Sequence, residues 1–202
     1  MEQVTNQIFY HIQKIKPNIT PSLQKGLTYT AGKEKNPFIS IYDNIDLSKF
    51  PNPLDECMLY IRENLFEEVR QQYFPQLPSR QKSIWLIPHN ENSLSFWKEA
   101  LQVNKLSTPY QVLELVCSGN IFYGNEKYLK TSPNFTFNNY RQYAFNYWNG
   151  SDTNLKENIA VECIFSGYFT KCERKAPKFI YGDISSLKNN DSISLFFIVL
   201  YF

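Results

Sequence analysis

The chain has 202 residues and a net charge of +2, and 43% of its residues are hydrophobic. This length and apolar content predict a single domain, 1–202, with one sizeable core, and they argue against intrinsic disorder. Because the net charge is small and the basic residues are scattered, the sequence gives no electrostatic indication of duplex binding.

Widely spaced cysteines predict free thiols in a reducing compartment, and neither a disulfide framework nor a zinc site. The start of the chain lacks the basic and apolar segments of a signal peptide, so we expect a cytoplasmic protein. The apolar residues 195–202 are too few for a membrane-spanning helix, which needs roughly 20 residues, and they predict a buried strand. We therefore expect no metal and no membrane contact. The cysteines are Cys57, Cys117, Cys163 and Cys172.

The first half of the chain predicts one strand and one long helix. Residues 8–15 are aromatic and β-branched, and Pro17 follows them, so they predict a strand that carries His11. Apolar residues at three- and four-residue spacing in 54–73 predict an amphipathic helix with Glu63 among its polar residues.

The middle of the chain predicts a strand, a helix and a second strand. The apolar run 83–87 precedes a proline and predicts a buried strand, with Arg80 at its entrance. Ser93 is the expected N-cap of the next helix, and residues 110–117 predict a strand that ends near Gly119.

A polar loop is expected over 124–138, followed by a helix that ends at Gly150. Residues 159–165 and 168–172 predict two strands separated by Ser166 and Gly167. These elements together predict an α+β domain. One face of the helix is aromatic and is expected to pack on the sheet; it contains Tyr140, Tyr143, Ala144, Tyr147 and Trp148.

Five short motifs follow one another along the chain. In this order and spacing they resemble the ADP-ribosyltransferase superfamily, in particular the small bacterial branch that includes rifamycin ADP-ribosyltransferases and an uncharacterised relative family. The motifs are Phe9-Tyr10-His11, Ile84-Trp85-Leu86, Phe96-Trp97-Lys98-Glu99-Ala100-Leu101, Tyr110-Gln111-Val112-Leu113-Glu114 and Tyr147-Trp148-Asn149-Gly150.

The resemblance implies a split β-sheet core with flanking helices and NAD as a substrate. It implies that His11 hydrogen-bonds a ribose hydroxyl of NAD and that Glu162 is the acidic residue of the triad. Trp85 would stand in place of the tyrosine that stacks on the nicotinamide, which keeps the stacking face but loses the phenolic hydroxyl.

The chemistry of NAD cleavage suits these residues. Breaking the bond between nicotinamide and ribose places positive charge on the sugar, which the Glu162 carboxylate can stabilise while it orients the incoming nucleophile. Arg80 or Arg70 can make forked hydrogen bonds to the pyrophosphate, and Arg80 is favoured because it precedes the strand that carries Trp85. Ser83 can reach a ribose or the carboxamide if its side chain faces the cleft.

The expected function is thus NAD-dependent mono-ADP-ribosylation of a macromolecule, whether RNA, DNA or protein. The resemblance further implies a toxin or phage-defence effector that an antitoxin protein holds in check. One alternative is a catalytically silent domain of the same fold that binds a nucleotide or a partner protein, with His11 and Trp85 serving only as core residues. Another is a module that stacks single-stranded nucleic acid on Tyr147 and Trp148.

Overall fold

The computed structural model describes residues 1–14, 23–44, 46–101, 103, 110–150, 159–172 and 178–180. Strands and helices are mixed along this part of the chain, so the predicted α+β class is confirmed. The strands are β1 (Glu2–Lys14), β2 (Thr28–Ala31), β3 (Ile84–Pro88), β4 (Tyr110–Asn125), β5 (Val161–Lys171) and β6 (Lys178–Ile180). The helices are α1 (Pro37–Ser40), α2 (Pro53–Tyr73), α3 (Glu91–Ala100) and α4 (Phe137–Asn149).

The six strands form one antiparallel sheet in the order β2-β5-β3-β1-β4-β6. Strand β5 also pairs with β4, from Leu115 opposite Lys171 to Asn125 opposite Val161. Strands β1, β3, β5 and β4 are therefore joined into a closed ring. The sheet accordingly has an inner face and an outer face, and each face carries its own core.

Successive side chains of a strand point to opposite faces of a sheet, and both faces of this sheet are apolar. The helices cover the outer face, where Trp85 and Ile164 pack with Trp97 of α3 and Trp148 of α4. A strand residue that points away from the inner core is thus still buried. The inner core includes Phe9, Ile84, Leu86, Leu113, Leu115, Cys117, Ile121, Val161, Cys163 and Phe165.

Two expected strand breaks are wrong, because β4 runs through Gly119 and β5 runs through Gly167. The two glycines lie opposite each other in the β4–β5 ladder. A Cβ atom on Gly167 would lie 2.5 Å from the carbonyl oxygen of Ser118, so the backbones approach closely only because a side chain is missing. The glycines therefore mark close strand packing, and the loop expected from residue 124 begins after Asn125.

The predicted helices are present, with one difference at a start. Helix α3 is capped by Asn90, whose side-chain oxygen accepts a 2.7 Å hydrogen bond from the backbone N–H of Ser93, so the expected Ser93 cap is wrong. Helix α4 ends at Gly150, which has a φ of 60°. The aromatic face of α4 packs inward as predicted, and Tyr147 and Trp148 are each 1% exposed, so neither can stack on a nucleic acid.

The remaining expectations concern the cysteines, membrane crossing and two predicted features outside the described residues. All four cysteines are free, as predicted. Over the ranges given above, no helix has both the length and the apolar character that crossing a membrane requires. The strand expected at 195–202 and the proline after the first strand lie outside the described residues.

Candidate functional site

Arg80 lies at the entrance of β3, as predicted, but its side chain is only 1% exposed. Its guanidinium donates to carboxylates on two different elements. The Nε atom donates to Glu63 Oε2 of α2 at 3.0 Å, and Nη1 donates to Glu162 Oε1 of β5. Nη1 also donates to the hydroxyl of Tyr147 of α4 at 3.0 Å. The arginine therefore joins two helices to two strands inside the protein.

A second arginine completes what we call the buried charge cluster, which comprises Arg62, Glu63, Arg80, Tyr147 and Glu162. Arg62 donates through Nη2 to Glu63 Oε1 at 2.6 Å and through Nη1 to the carbonyl oxygen of Leu129. Two cations face two carboxylates, so the cluster is neutral as a whole. A neutral arrangement in which each charged side chain has a partner of opposite charge limits the large cost of removing charges from water.

The electrostatics of the cluster keep Glu63 ionised. Burial alone would raise the pKa of Glu63, but the charges of Arg80 and Arg62 lower it from 4.5 to about 2. Burial alone would likewise lower the pKa of Arg80, yet the charge of Glu63 raises it above its ordinary value. Glu63 and its two arginines therefore form true ion pairs.

Tyr147 covers the carboxylate of Glu162. Its hydroxyl donates a 2.6 Å hydrogen bond to Glu162 Oε1, and burial raises its pKa. The ring has room because Gly124, opposite Glu162 in the β4–β5 ladder, has no side chain. A Cβ atom on Gly124 would lie 2.2 Å from the ring. Only 4% of Glu162 is exposed.

Trp85 is buried against the same arginine. The Arg80 guanidinium lies 4.8 Å from the centre of the Trp85 ring, and the indole Nε1 donates to the Arg80 carbonyl oxygen at 3.0 Å. The edge of Phe38 meets the ring with 5.2 Å between ring centres. The face that was expected to stack on nicotinamide therefore has a cation above it.

His11 is also buried, but it lies on the other face of the sheet. It pairs with Leu113 across β1 and β4, and so it belongs to the inner face, whereas Trp85 and Glu162 belong to the outer face. Its Nδ1–H donates to the carbonyl oxygen of Trp85 at 3.0 Å. Burial lowers the pKa of His11 from 6.5 to about 4, so the ring is neutral at pH 7.

Ser83 lies just before β3, and its hydroxyl is enclosed by the protein. Its Oγ atom is buried and has no hydrogen-bond partner among the residues that the structure describes. The Ser83 carbonyl oxygen accepts from Asn36 Nδ2 at 3.3 Å, and the same amide donates to the Arg80 carbonyl oxygen at 2.9 Å. A buried hydroxyl without a partner calls for a physical explanation.

The structure thus brings all five predicted residues to one region around the start of β3. Arg80 contacts both Trp85 and Glu162. His11 and Ser83 connect to these residues through the backbone of β3 and of the segment that leads into it. The prediction missed Glu63, which it placed on the polar face of α2. Glu63 lies four residues after Leu59 and three before Phe66, and both of these are buried, so the helical spacing itself carried the signal.

Within the described ranges, no three His, Cys, Asp or Glu side chains are grouped so that they could hold a metal ion. Fold and site together define an α+β protein with a closed ring of strands and a neutral charge cluster beneath its helices. The chain matches the model of a family described as a protein of unknown function, DUF2441, over residues 42–176. This is more than half of the chain, so the protein belongs to that family.

The family match includes Arg80, Ser83, Trp85 and Glu162, whereas His11 precedes it. No curated protein matches the chain. The matched region therefore contains these four residues, whereas His11 lies in β1, before the matched region begins.

Proposed function

We propose that the protein is an NAD-dependent mono-ADP-ribosyltransferase with a split-sheet core of that superfamily's type. The observation that carries the proposal is the convergence of the five predicted residues. They come from three parts of the sequence, namely β1, residues 80–85 and β5, and these parts lie where three neighbouring strands, β5, β3 and β1, run side by side. His11 lies on the opposite face of the sheet from Trp85 and Glu162. An ordinary core would not require these residue types to meet.

In this proposal Glu162 is the catalytic carboxylate. The bond between the nicotinamide nitrogen and the ribose C1′ breaks, nicotinamide leaves with the bonding electron pair, and an acceptor nucleophile forms the new bond to C1′. Arg80 pairs with Glu162, and in this proposal the carboxylate supplies negative charge where positive charge grows on the sugar. Such preorganised stabilisation is worth on the order of 3 kcal/mol of the barrier.

The burial of the site adds a condition to the mechanism. Only 4% of Glu162 is exposed, and the Tyr147 hydroxyl occupies its Oε1 atom, so in this proposal NAD binding displaces the α4 side of the cluster. Arg80 is committed to two carboxylates, and in this proposal it orients Glu162 and supports the Trp85 ring. His11 acts as a positioning residue that holds the Trp85 carbonyl from the inner face. Ser83 offers its free hydroxyl to the ligand.

The acceptor in this proposal is a macromolecule, RNA, DNA or protein, in the cytoplasm. As a toxin or phage-defence effector, the protein would have an antitoxin protein as a partner. Both statements rest on the resemblance and on nothing in the geometry of the cluster.

A second candidate is favoured by the same burial. A catalytically silent domain that binds a nucleotide or a partner protein needs no accessible carboxylate, and Glu162 is buried, with its Oε1 atom accepting from both Arg80 and Tyr147. In that case the charge cluster has a purely structural role. The two candidates differ in whether replacing Glu162 removes an activity or only stability.

The test is nicotinamide release from isotopically labelled NAD in cell lysate, with label transfer followed by mass spectrometry. Wild type is compared with Glu162→Gln and with Glu63→Gln. Each variant removes one carboxylate from Arg80, and Glu63 also pairs with Arg62, so Glu63→Gln is the structurally more severe control. We expect about 100-fold or slower release from Glu162→Gln, corresponding to roughly 3 kcal/mol, and a smaller effect of Glu63→Gln at equal folded fraction.

Equal losses in the two variants would assign Glu162 the same structural role as Glu63. A wild-type protein that releases no nicotinamide above the lysate background would favour the silent domain. Circular dichroism at the assay temperature gives the folded fraction of each protein, and the rates of nicotinamide release are compared per folded molecule.

A further inference from the structure

A second polar region lies apart from the buried charge cluster. It is an open cavity of about 350 Å³ between the end of α2, the segment that follows it, and the outer part of the β4–β5 ladder. None of the five cluster residues lines it. Its walls include Gly32, Gln76, Leu77, Lys82, Asn120 and Ser166.

One wall is built by an ion pair that is already satisfied. Arg70 Nη2 donates to Glu67 Oε1 at 2.7 Å, and Arg70 Nε donates to Glu67 Oε2 at 3.0 Å. Ser79 Oγ also donates to Glu67 at 2.9 Å, and Arg70 Nη1 donates to the Leu77 carbonyl oxygen at 2.9 Å. This wall is therefore fixed and carries no net charge.

The opposite wall is also held in place. The backbone N–H of Gly32 donates to the Lys82 carbonyl oxygen at 2.8 Å. Gly32 has a φ of 101°, and a Cβ atom there would lie 2.0 Å from Ser166 Oγ, so the loop lies directly on β5. Asn120 faces Ser166 across the β4–β5 ladder. The shape of the cavity is thus set by backbone contacts.

Lys82 is an exposed lysine that lines this cavity. In the part of the chain that the structure describes, its ammonium group has no ion pair and no hydrogen bond. Gln76 and Asn120 are also exposed, and their side-chain amides make no hydrogen bond among these residues. With the ion pair of the first wall neutral, the other ionisable groups of the lining residues are Lys82 and the amino group of Met1, which are both basic, and the two amides add donors.

We propose that this cavity binds a small phosphate-bearing ligand. Lys82 would supply the charge, and the amides of Gln76 and Asn120 would donate to phosphate oxygens. A lysine ammonium binds phosphate as a point charge, and polar donors around it fix the orientation. A volume near the lower end of the range for small-molecule sites suits a phosphate ester or a pyrophosphate. The inference does not depend on the proposed transferase activity.

The test is titration of the full chain with inorganic pyrophosphate at constant ionic strength, followed by two-dimensional NMR of backbone amides. Wild type is compared with Lys82→Gln, Asn120→Ala and Lys33→Gln. Lys33 is an exposed lysine next to Gly32 that does not line the cavity, so its variant controls for net charge. Sodium acetate, at matched ionic strength, is the second titrant.

We expect saturable shifts at Gly32, Asn120 and Ser166, about tenfold weaker binding in Lys82→Gln, and a change below about twofold in Lys33→Gln. Asn120→Ala should weaken binding about fivefold through the loss of one hydrogen bond. Absence of saturable shifts, or equal weakening by Lys82→Gln and Lys33→Gln, would overturn the site. Acetate binding as tight as pyrophosphate binding would overturn the assignment to phosphate.

Discussion

His11 shows how burial defines the chemistry of a single residue. The ring is 1% exposed, donates from Nδ1 to the Trp85 carbonyl oxygen, and has a pKa lowered to about 4. The unfolded chain takes up this proton near pH 6.5, whereas the folded protein takes it up only near pH 4. The neutral form of His11 therefore stabilises the folded state, and protonation of the ring destabilises it.

This difference predicts a pH-dependent loss of stability. Between pH 6.5 and 4 the unfolded state binds more protons, so the free energy of unfolding should fall as the pH is lowered, by roughly 3 kcal/mol from this group. Urea unfolding curves at several pH values would measure the slope. In His11→Gln the contribution to the slope should disappear.

The chain contains two histidines, so His89→Gln is the matched control. The side chain of His89 is 37% exposed, and its Nε2 lies 3.6 Å from Glu114 Oε1. The change of slope in His11→Gln beyond that in His89→Gln is then attributed to the buried ring. A His11→Gln protein with an unchanged slope would show that another group titrates in this range.

Arg80 carries a large predicted energetic effect. In Arg80→Met, the carboxylates of Glu63 and Glu162 would remain in the interior without their common cation. Removing one partner of a buried ion pair costs about 3–5 kcal/mol, because the remaining charge is not compensated. Chemical denaturation of the variant measures this loss.

Arg141→Met provides the comparison for Arg80→Met. Arg141 Nε lies 3.1 Å from Glu68 Oε1, and their side chains are 43% and 51% exposed. Exposed pairs contribute about 0–1 kcal/mol, so this variant should be close to wild type in stability. Equal losses in Arg80→Met and Arg141→Met would contradict the account of the buried cluster.

At the level of elements, helix α4 and strand β4 fit together through one missing side chain. The Tyr147 ring occupies the space above Gly124, and its hydroxyl then reaches Glu162. The Gly124→Ala variant should displace the ring and lose about 1–3 kcal/mol of stability. Thermal unfolding measures this effect.

A double-mutant cycle attributes the cost to the ring. With Tyr147→Leu in the background, the added methyl group should cost less than it does in wild type, because the aromatic ring is no longer there to be displaced. Additive losses in the double variant would mean that Gly124 is required for a reason other than its contact with Tyr147.

The elements also show what periodicity can predict. The aromatic spacing of α4 correctly predicted its buried face, because this face is continuous and apolar. Gly119 and Gly167 were misread as strand ends, since a glycine that ends a strand and one that allows two strands to approach look the same in a sequence. The prediction placed Glu63 on the polar face of α2 because the residue is charged. Its spacing from the buried residues Leu59 and Phe66 instead places it on the buried face.

For the whole molecule, the decisive feature is the second pairing of β5, which closes the ring of strands. The sequence predicted alternation along β5 and so placed Glu162 opposite the inner core. It could not show that helices cover this opposite face, because the cover comes from α2 and α4, which are distant in sequence. The five candidate residues were thus predicted to converge, while their burial depends on tertiary packing.

The most direct measurement of the central claim is NAD binding by isothermal titration calorimetry, with wild type and Ser83→Ala compared. The Ser83 hydroxyl has no partner among the described residues, so its removal should leave the stability close to wild type. If NAD binds at the cluster, the variant should bind about three- to tenfold more weakly. No heat of NAD binding to wild type, or identical affinities in the two proteins, would contradict the proposed site.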